Sequence, residues 1–261
     1  MAFTVHAVMP GVWHIVDCMG VCMTLLEGEN AAMLVDTGYG IEDVADFMRH
    51  MTDLPLTVFL THNHHDHAMG ARCFPETYML EADMADWRMF TDDEMRRRVL
   101  TQAIGKNLPV DEKTFLAGEI PLPKVMKPGV IDLGGLTAEI IEAPGHTPGS
   151  AVVYVPERKL LLSGDDWNPC TWLFFPQALG LREYRSNMRG IQQLPFEKVL
   201  CPHREALYDR WMFDDFFNAL TDGNLRAAEP VNIAPYEQID TCQVTLPHDQ
   251  VFVFDWAKSG L

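Results

Sequence analysis

Thr61-His62-Asn63-His64-His65-Asp66-His67 is the stretch on which the fold of this chain turns. It follows Val58-Phe59-Leu60, a short apolar run of strand character, and sets histidines and a carboxylate in an H-x-H-x-D-H pattern. Side chains alternate along extended backbone, so His62 and His64 point the same way. Asp66 and His67 follow where the chain turns, and approach from another side. Imidazole and carboxylate form the donor set that zinc favours, with iron and manganese as further candidates. Such a segment can seat two adjacent ions rather than one.

Four other places share the look of this stretch: an apolar strand, then a polar residue, then small or turn-forming residues. Ala32-Met33-Leu34-Val35 runs into Asp36-Thr37-Gly38. Ala143-Pro144-Gly145-His146-Thr147-Pro148-Gly149-Ser150 holds His146 in a loop bounded by glycine and proline. Leu160-Leu161-Leu162-Ser163-Gly164 ends on Asp165, and Val199-Leu200-Cys201-Pro202 ends on His203. Loops at strand ends are where a rigid scaffold presents functional groups.

Around these motifs the pattern predicts strands at 12–16, 22–27, 32–35 and 58–61, then at 130–133, 137–142, 150–155, 159–163 and 199–201. Helices are expected over 41–50, through much of 81–105, and around Phe213, Phe216, Phe217 and Leu220 at helical spacing. Arg96-Arg97-Arg98 reads as a solvated helix face. Two β-rich halves, each carrying helices, suggest two packed sheets with helices outside. No linker or internal repeat divides the chain, so residues 1–261 are expected to form one domain.

Composition limits the partners. The 261 residues carry 37 Asp and Glu against 20 Lys and Arg, a formal charge of −17. So acidic a surface repels phosphate backbones and anionic lipid, which argues against nucleic acid and membrane as partners. No run approaches the length needed to span a bilayer and no signal peptide is visible, so a cytoplasmic protein is expected. The six cysteines are too sparse for a disulfide scaffold.

Taken in order, H-x-H-x-D-H, GHTPGS, SGD and a late strand-end histidine, with Asp36 in LVDTG, resemble the metallo-β-lactamase-fold hydrolase superfamily, in its glyoxalase II or lactonase-like range. The resemblance spans about residues 12 to 203 and leaves the subfamily unassigned. It implies an α+β fold, a four-layer αββα sandwich with the site at one edge between the sheets. It also implies two Zn2+ ions, with Fe or Mn as alternatives: one held by His62, His64 and His146, the other by Asp66, His67 and His203, with Asp165 bridging. Asp36 would fix a ligand or loop from behind. His65 falls at a non-ligand position of the motif.

Two divalent ions, two Asp and a bridging hydroxide leave a net charge of about +1, suited to stabilising an oxyanion. The expected reaction is hydrolysis of an ester, thioester or lactone of a small molecule. Hydroxide is the nucleophile, and Asp66 and Asp165 are the catalytic carboxylates. A small-substrate phosphodiesterase, a β-lactam hydrolase and, from another class, an iron-dependent oxygenase are the alternatives. The segment after Asp165 lacks the glycine- and arginine-rich stretch of glyoxalase II, and has Trp167 and Trp172 where homoserine lactonases tend to carry a tyrosine. Trp167, Trp172, Phe174 and Phe175 stand beside the site and either line a pocket or pack the core. A homo-oligomer is compatible with all of this.

Overall fold

The computed structural model describes residues 3–261. Its first sheet has seven strands in sequence order, Thr4–Met9, Val12–Val16, Cys22–Glu27, Ala32–Val35, Leu56–Phe59, Tyr78–Met79 and Lys124–Val125. The second runs Tyr208–Asp209, Lys198–Leu200, Leu160–Leu162, Ala151–Val155, Thr137–Glu142, Gly129–Asp132 across its width.

Period-two alternation explains the layering, because the central strands, such as Ala32–Val35, Ala151–Val155 and Leu160–Leu162, are apolar on both faces. Met33 and Val35 turn into a shared core with Val153, Val155, Leu160 and Leu162 of the second sheet. Leu34 and Val58 face the other way, against Val44, Ala45 and Met48 of the helix Val44–Met51. On the far side, Val152, Tyr154, Leu161 and Val199 pack under Leu181, Tyr184 and Met188 of helix Leu181–Ile191 and Phe213 and Phe216 of helix Arg210–Ala219. Helix, sheet, sheet and helix make the four layers of an αββα sandwich.

A third, four-stranded sheet adds to the two that the sequence suggests. Cys170–Leu173 pairs in parallel with Gln250–Asp255, which continues to Thr241–Leu246 and Glu229–Pro230. It carries the aromatic segment after Asp165 toward the site. The expected basic face also differs. Arg96 is buried, and its guanidinium donates to the carbonyls of Phe115 and Gly118. Buried carbonyls need donors, so this arginine closes the loop after helix Asp93–Gly105. Among the described residues no helix is long and apolar enough to cross a membrane.

Candidate metal centre

Parallel pairing sets the site. Ala32–Val35 lies parallel to Leu56–Phe59, and Leu160–Leu162 parallel to Lys198–Leu200, so paired strands end on the same edge. Asp36, the 62–67 loop, Asp165 and His203 leave from those ends, and His146 from the turn joining Thr137–Glu142 to Ala151–Val155. Across the edge Ala151 N–H donates to the Thr61 carbonyl at 2.9 Å.

The structure brings all seven predicted side chains together. His62, His64 and His146 form one group with donor atoms within 4.8 Å of one another, Asp66, His67 and His203 a second, and His62, His67 and Asp165 a third that joins them. Asp165 Oδ2 lies 3.5 Å from His146 Nε2 on one side, and 3.5 Å from His67 Nε2 and 3.1 Å from His203 Nε2 on the other. His65 lies outside the groups; its ring stands edge-on to Tyr39 at 5.5 Å, on the cavity wall.

Each imidazole in the middle of the cluster has one nitrogen anchored behind it. His67 Nδ1 donates to Asp36 Oδ2 at 2.9 Å, and Asp36 also accepts Thr61 N–H at 2.7 Å. Thr61 Oγ1 gives its proton to Asp36 and accepts from His62 Nδ1 at 3.0 Å. His146 Nδ1 donates to the Trp172 carbonyl at 2.7 Å. These contacts leave His62 Nε2, His67 Nε2 and Asp165 Oδ1 buried without hydrogen-bond partners. Orphaned nitrogens and a carboxylate oxygen converging in a buried site are what a cation-binding site requires, so the residues fit divalent ions.

In the first group the electrostatics agree. Burial pushes His62, His64 and His146 below the usual imidazole range, keeping them neutral and able to ligate. Burial opposes charge on His67 and His203 too, but Asp165 and Asp66, with Asp36 behind His67, outweigh it and raise both above that range, so a cation on these two rings displaces a proton from each. Burial would likewise raise the carboxyls of Asp66 and Asp165, yet the neighbouring histidines hold both below their ordinary values. The carboxylates therefore stay ionised.

Several residues that the sequence left unassigned support the site. Asp83 accepts from Asn63 N at 3.1 Å, Thr147 Oγ1 at 2.7 Å and Gly149 N at 2.6 Å, clamping the 62–67 loop to the His146 loop. A Cβ on Gly149 would stand 2.6 Å from the Asp83 backbone nitrogen, so only glycine lets the two loops approach. Above the donors opens a cavity of about 510 Å³, with Tyr39, Phe90, Trp172, Phe175 and Tyr236 on its walls. The aromatic segment divides. Trp167 and Phe174 are in the core, whereas Trp172 is 36% exposed and lines the cavity with Phe175.

A sequence model described as the metallo-beta-lactamase superfamily matches residues 16–203. The chain belongs to that superfamily. Its similarity to the chicken (Gallus gallus) acyl-coenzyme A thioesterase MBLAC2 is 26% identity over 200 residues, 69% of this chain and 70% of that protein. In structure it resembles a metallo-beta-lactamase family protein from Thermus thermophilus, at TM-score 0.59 and 18% identity, over 85% of this chain and 82% of that one. A metallo-beta-lactamase from Pontibacter korlensis superposes with TM-score 0.59 and 18% identity, covering 83% and 97%. Superfamily membership and the candidate donor groups make the chain a metal-dependent hydrolase.

Proposed function

We propose that this chain, acting as one domain over residues 1–261, hydrolyses a thioester, ester or lactone of a small molecule at a two-zinc centre. The assigned ligands are His62, His64 and His146 on one side and Asp66, His67 and His203 on the other, with Asp165 between them. The position of Asp165 Oδ2, within 3.5 Å of histidine nitrogens from both groups, carries the reading. Bound divalent ions supply Lewis acidity and bring the pKa of a water toward neutrality.

The residues supply the rest. Asp66, ionised and on the cavity wall, accepts a proton of the attacking water and so orients it. Burial raises the Tyr39 phenol above its usual range, so its hydroxyl stays a donor near the reacting carbonyl. Phe90, Trp172 and Phe175 exclude water and hold an apolar substrate body. Similarity to a protein named as an acyl-coenzyme A thioesterase supports taking thioesters as the first of the three substrate classes to test. A cytoplasmic setting and a small-molecule partner belong to the same reading.

The test is metal analysis, then a panel of thioesters, aryl esters, lactones, phosphodiesters and β-lactams on one preparation. About two zinc ions per chain are expected, with thioester, ester or lactone turnover that a chelator abolishes and zinc restores. Turnover of phosphodiesters alone, or oxygen uptake by an iron-loaded protein, contradicts the proposal.

A further inference from the structure

Three of the buried imidazoles are anchored by groups that accept: Thr61 Oγ1, whose own proton is committed to Asp36, then Asp36 Oδ2, and the Trp172 carbonyl. His64 is held differently. Its outward Nε2 lies 2.6 Å from the amide nitrogen of Gln177, a side chain with both a donor and an acceptor. Its inward Nδ1 lies 2.9 Å from His146 Nε2.

Two proton arrangements are open to these groups. In the first, the Gln177 amide donates to His64 Nε2, His64 Nδ1–H donates to His146 Nε2, and His146 Nδ1–H donates to Trp172. In the second, His64 carries its proton on Nε2, and Gln177 turns its amide over to accept it through Oε1. His64 Nδ1 and His146 Nε2 then both present free lone pairs. Only the second arrangement lets both rings ligate one cation. In the first, Gln177 Oε1 is buried without a partner; turning the amide exchanges which of its ends meets His64, so a cation on the two freed lone pairs is what tips the balance.

The backbone on both sides of Gln177 is fixed, which confines the change to the amide. Lys258 Nζ donates to the carbonyls of Phe175 at 3.2 Å, Pro176 at 2.6 Å and Ala178 at 2.9 Å. Leu179 N–H donates to the Gly145 carbonyl at 2.9 Å, tying the same loop to the one that carries His146.

We propose that Gln177 is a positioning residue for the first ligand group, its amide turning over as His64 exchanges one tautomer for the other, so that cation binding at His62, His64 and His146 is coupled to this switch. The proposal rests on the ligand assignment under Proposed function. It predicts that an acceptor at position 177 favours the ligating tautomer and that loss of the acceptor penalises it. A partner behind a ligating histidine is worth about 10–100-fold in metal affinity.

The experiment is two-bond 1H–15N spectroscopy of 15N-histidine-labelled protein, with chelator and with zinc, alongside zinc affinities for wild type, Gln177→Glu and Gln177→Leu. Wild type should show the His64 proton on Nδ1 under chelator and on Nε2 with zinc. Gln177→Glu, which only accepts, should hold the Nε2 proton in both conditions and bind zinc at least as tightly as wild type. Gln177→Leu removes the partner of both tautomers and should bind about 10–100-fold more weakly than Gln177→Glu, which keeps the acceptor behind the ligating form. Zinc uptake with an unchanged His64 tautomer, or a Gln177→Leu that binds zinc as tightly as Gln177→Glu, overturns the switch alone. A wild type that takes up no zinc overturns the ligand assignment and the switch together.

Discussion

The first sheet contributes His62, His64, Asp66 and His67 from a single loop, whereas the second contributes His146, Asp165 and His203 from three strand ends far apart in the chain. The first set is held by short-range chemistry. Asp36 and Thr61, at neighbouring strand ends, anchor His67 and His62 directly. The second set depends on topology, because His146 finds its acceptor in the Trp172 carbonyl of the third sheet and Asp165 reaches across to both groups. A local motif can thus be written as one heptapeptide, but its complement exists only when the sandwich closes.

The largest effect should come from the residue that joins the halves. Asp165→Asn removes the charge shared by both groups, and turnover should fall on the order of 10³-fold, measured with zinc and the best substrate of the panel. Retention of most of the activity would show that the halves work independently.

The aromatic strand behind His146 offers a sharper contrast. Phe174 is fully buried, and Phe174→Ala should cost about 3–5 kcal/mol in chemical denaturation. Trp172→Ala, on the cavity wall, should raise KM with little change in stability. Equal destabilisation by both substitutions would place Trp172 in the core after all.

Asp83 tests the clamp between the two loops through pH. Burial raises its carboxyl to about 6 from 3.8, against the hydrogen bonds it accepts. The folded state therefore holds the proton more tightly than the unfolded state. The stabilisation is full below about pH 4 and is lost as pH rises through about 6. With 1.36 kcal/mol per unit, the loss is about 3 kcal/mol. Asp83→Asn should flatten wild-type stability against pH over that window. The smallest effect concerns one half only. Asp36→Ala frees His67 Nδ1 and should weaken zinc binding by about 10–100-fold, read by competition with a chelating dye.

The same contrast explains how much the sequence revealed. Ala32–Val35 and Leu160–Leu162 are legible because strands covered on both faces are apolar throughout. Six of the seven side chains are legible because they follow short apolar strands, whereas His146 follows the alternating strand Thr137–Glu142 and stands out through its glycine- and proline-bounded loop. The third sheet was not, since Cys170–Leu173 finds its partner in Gln250–Asp255, far along the chain. Asp83 and Gln177 carry no local signature; each matters only because another loop is folded against it. Arg96 was misplaced for a similar reason, as the carbonyls that bury it belong to a later loop.

The central claim is that one carboxylate, Asp165, stands between two ions held by separate histidine groups. Anomalous diffraction at the zinc edge from zinc-loaded crystals tests it most directly. The account predicts two peaks, one against His62, His64 and His146 and one against Asp66, His67 and His203, each in contact with Asp165. A single peak, or two peaks that leave Asp165 without a metal contact, would contradict it.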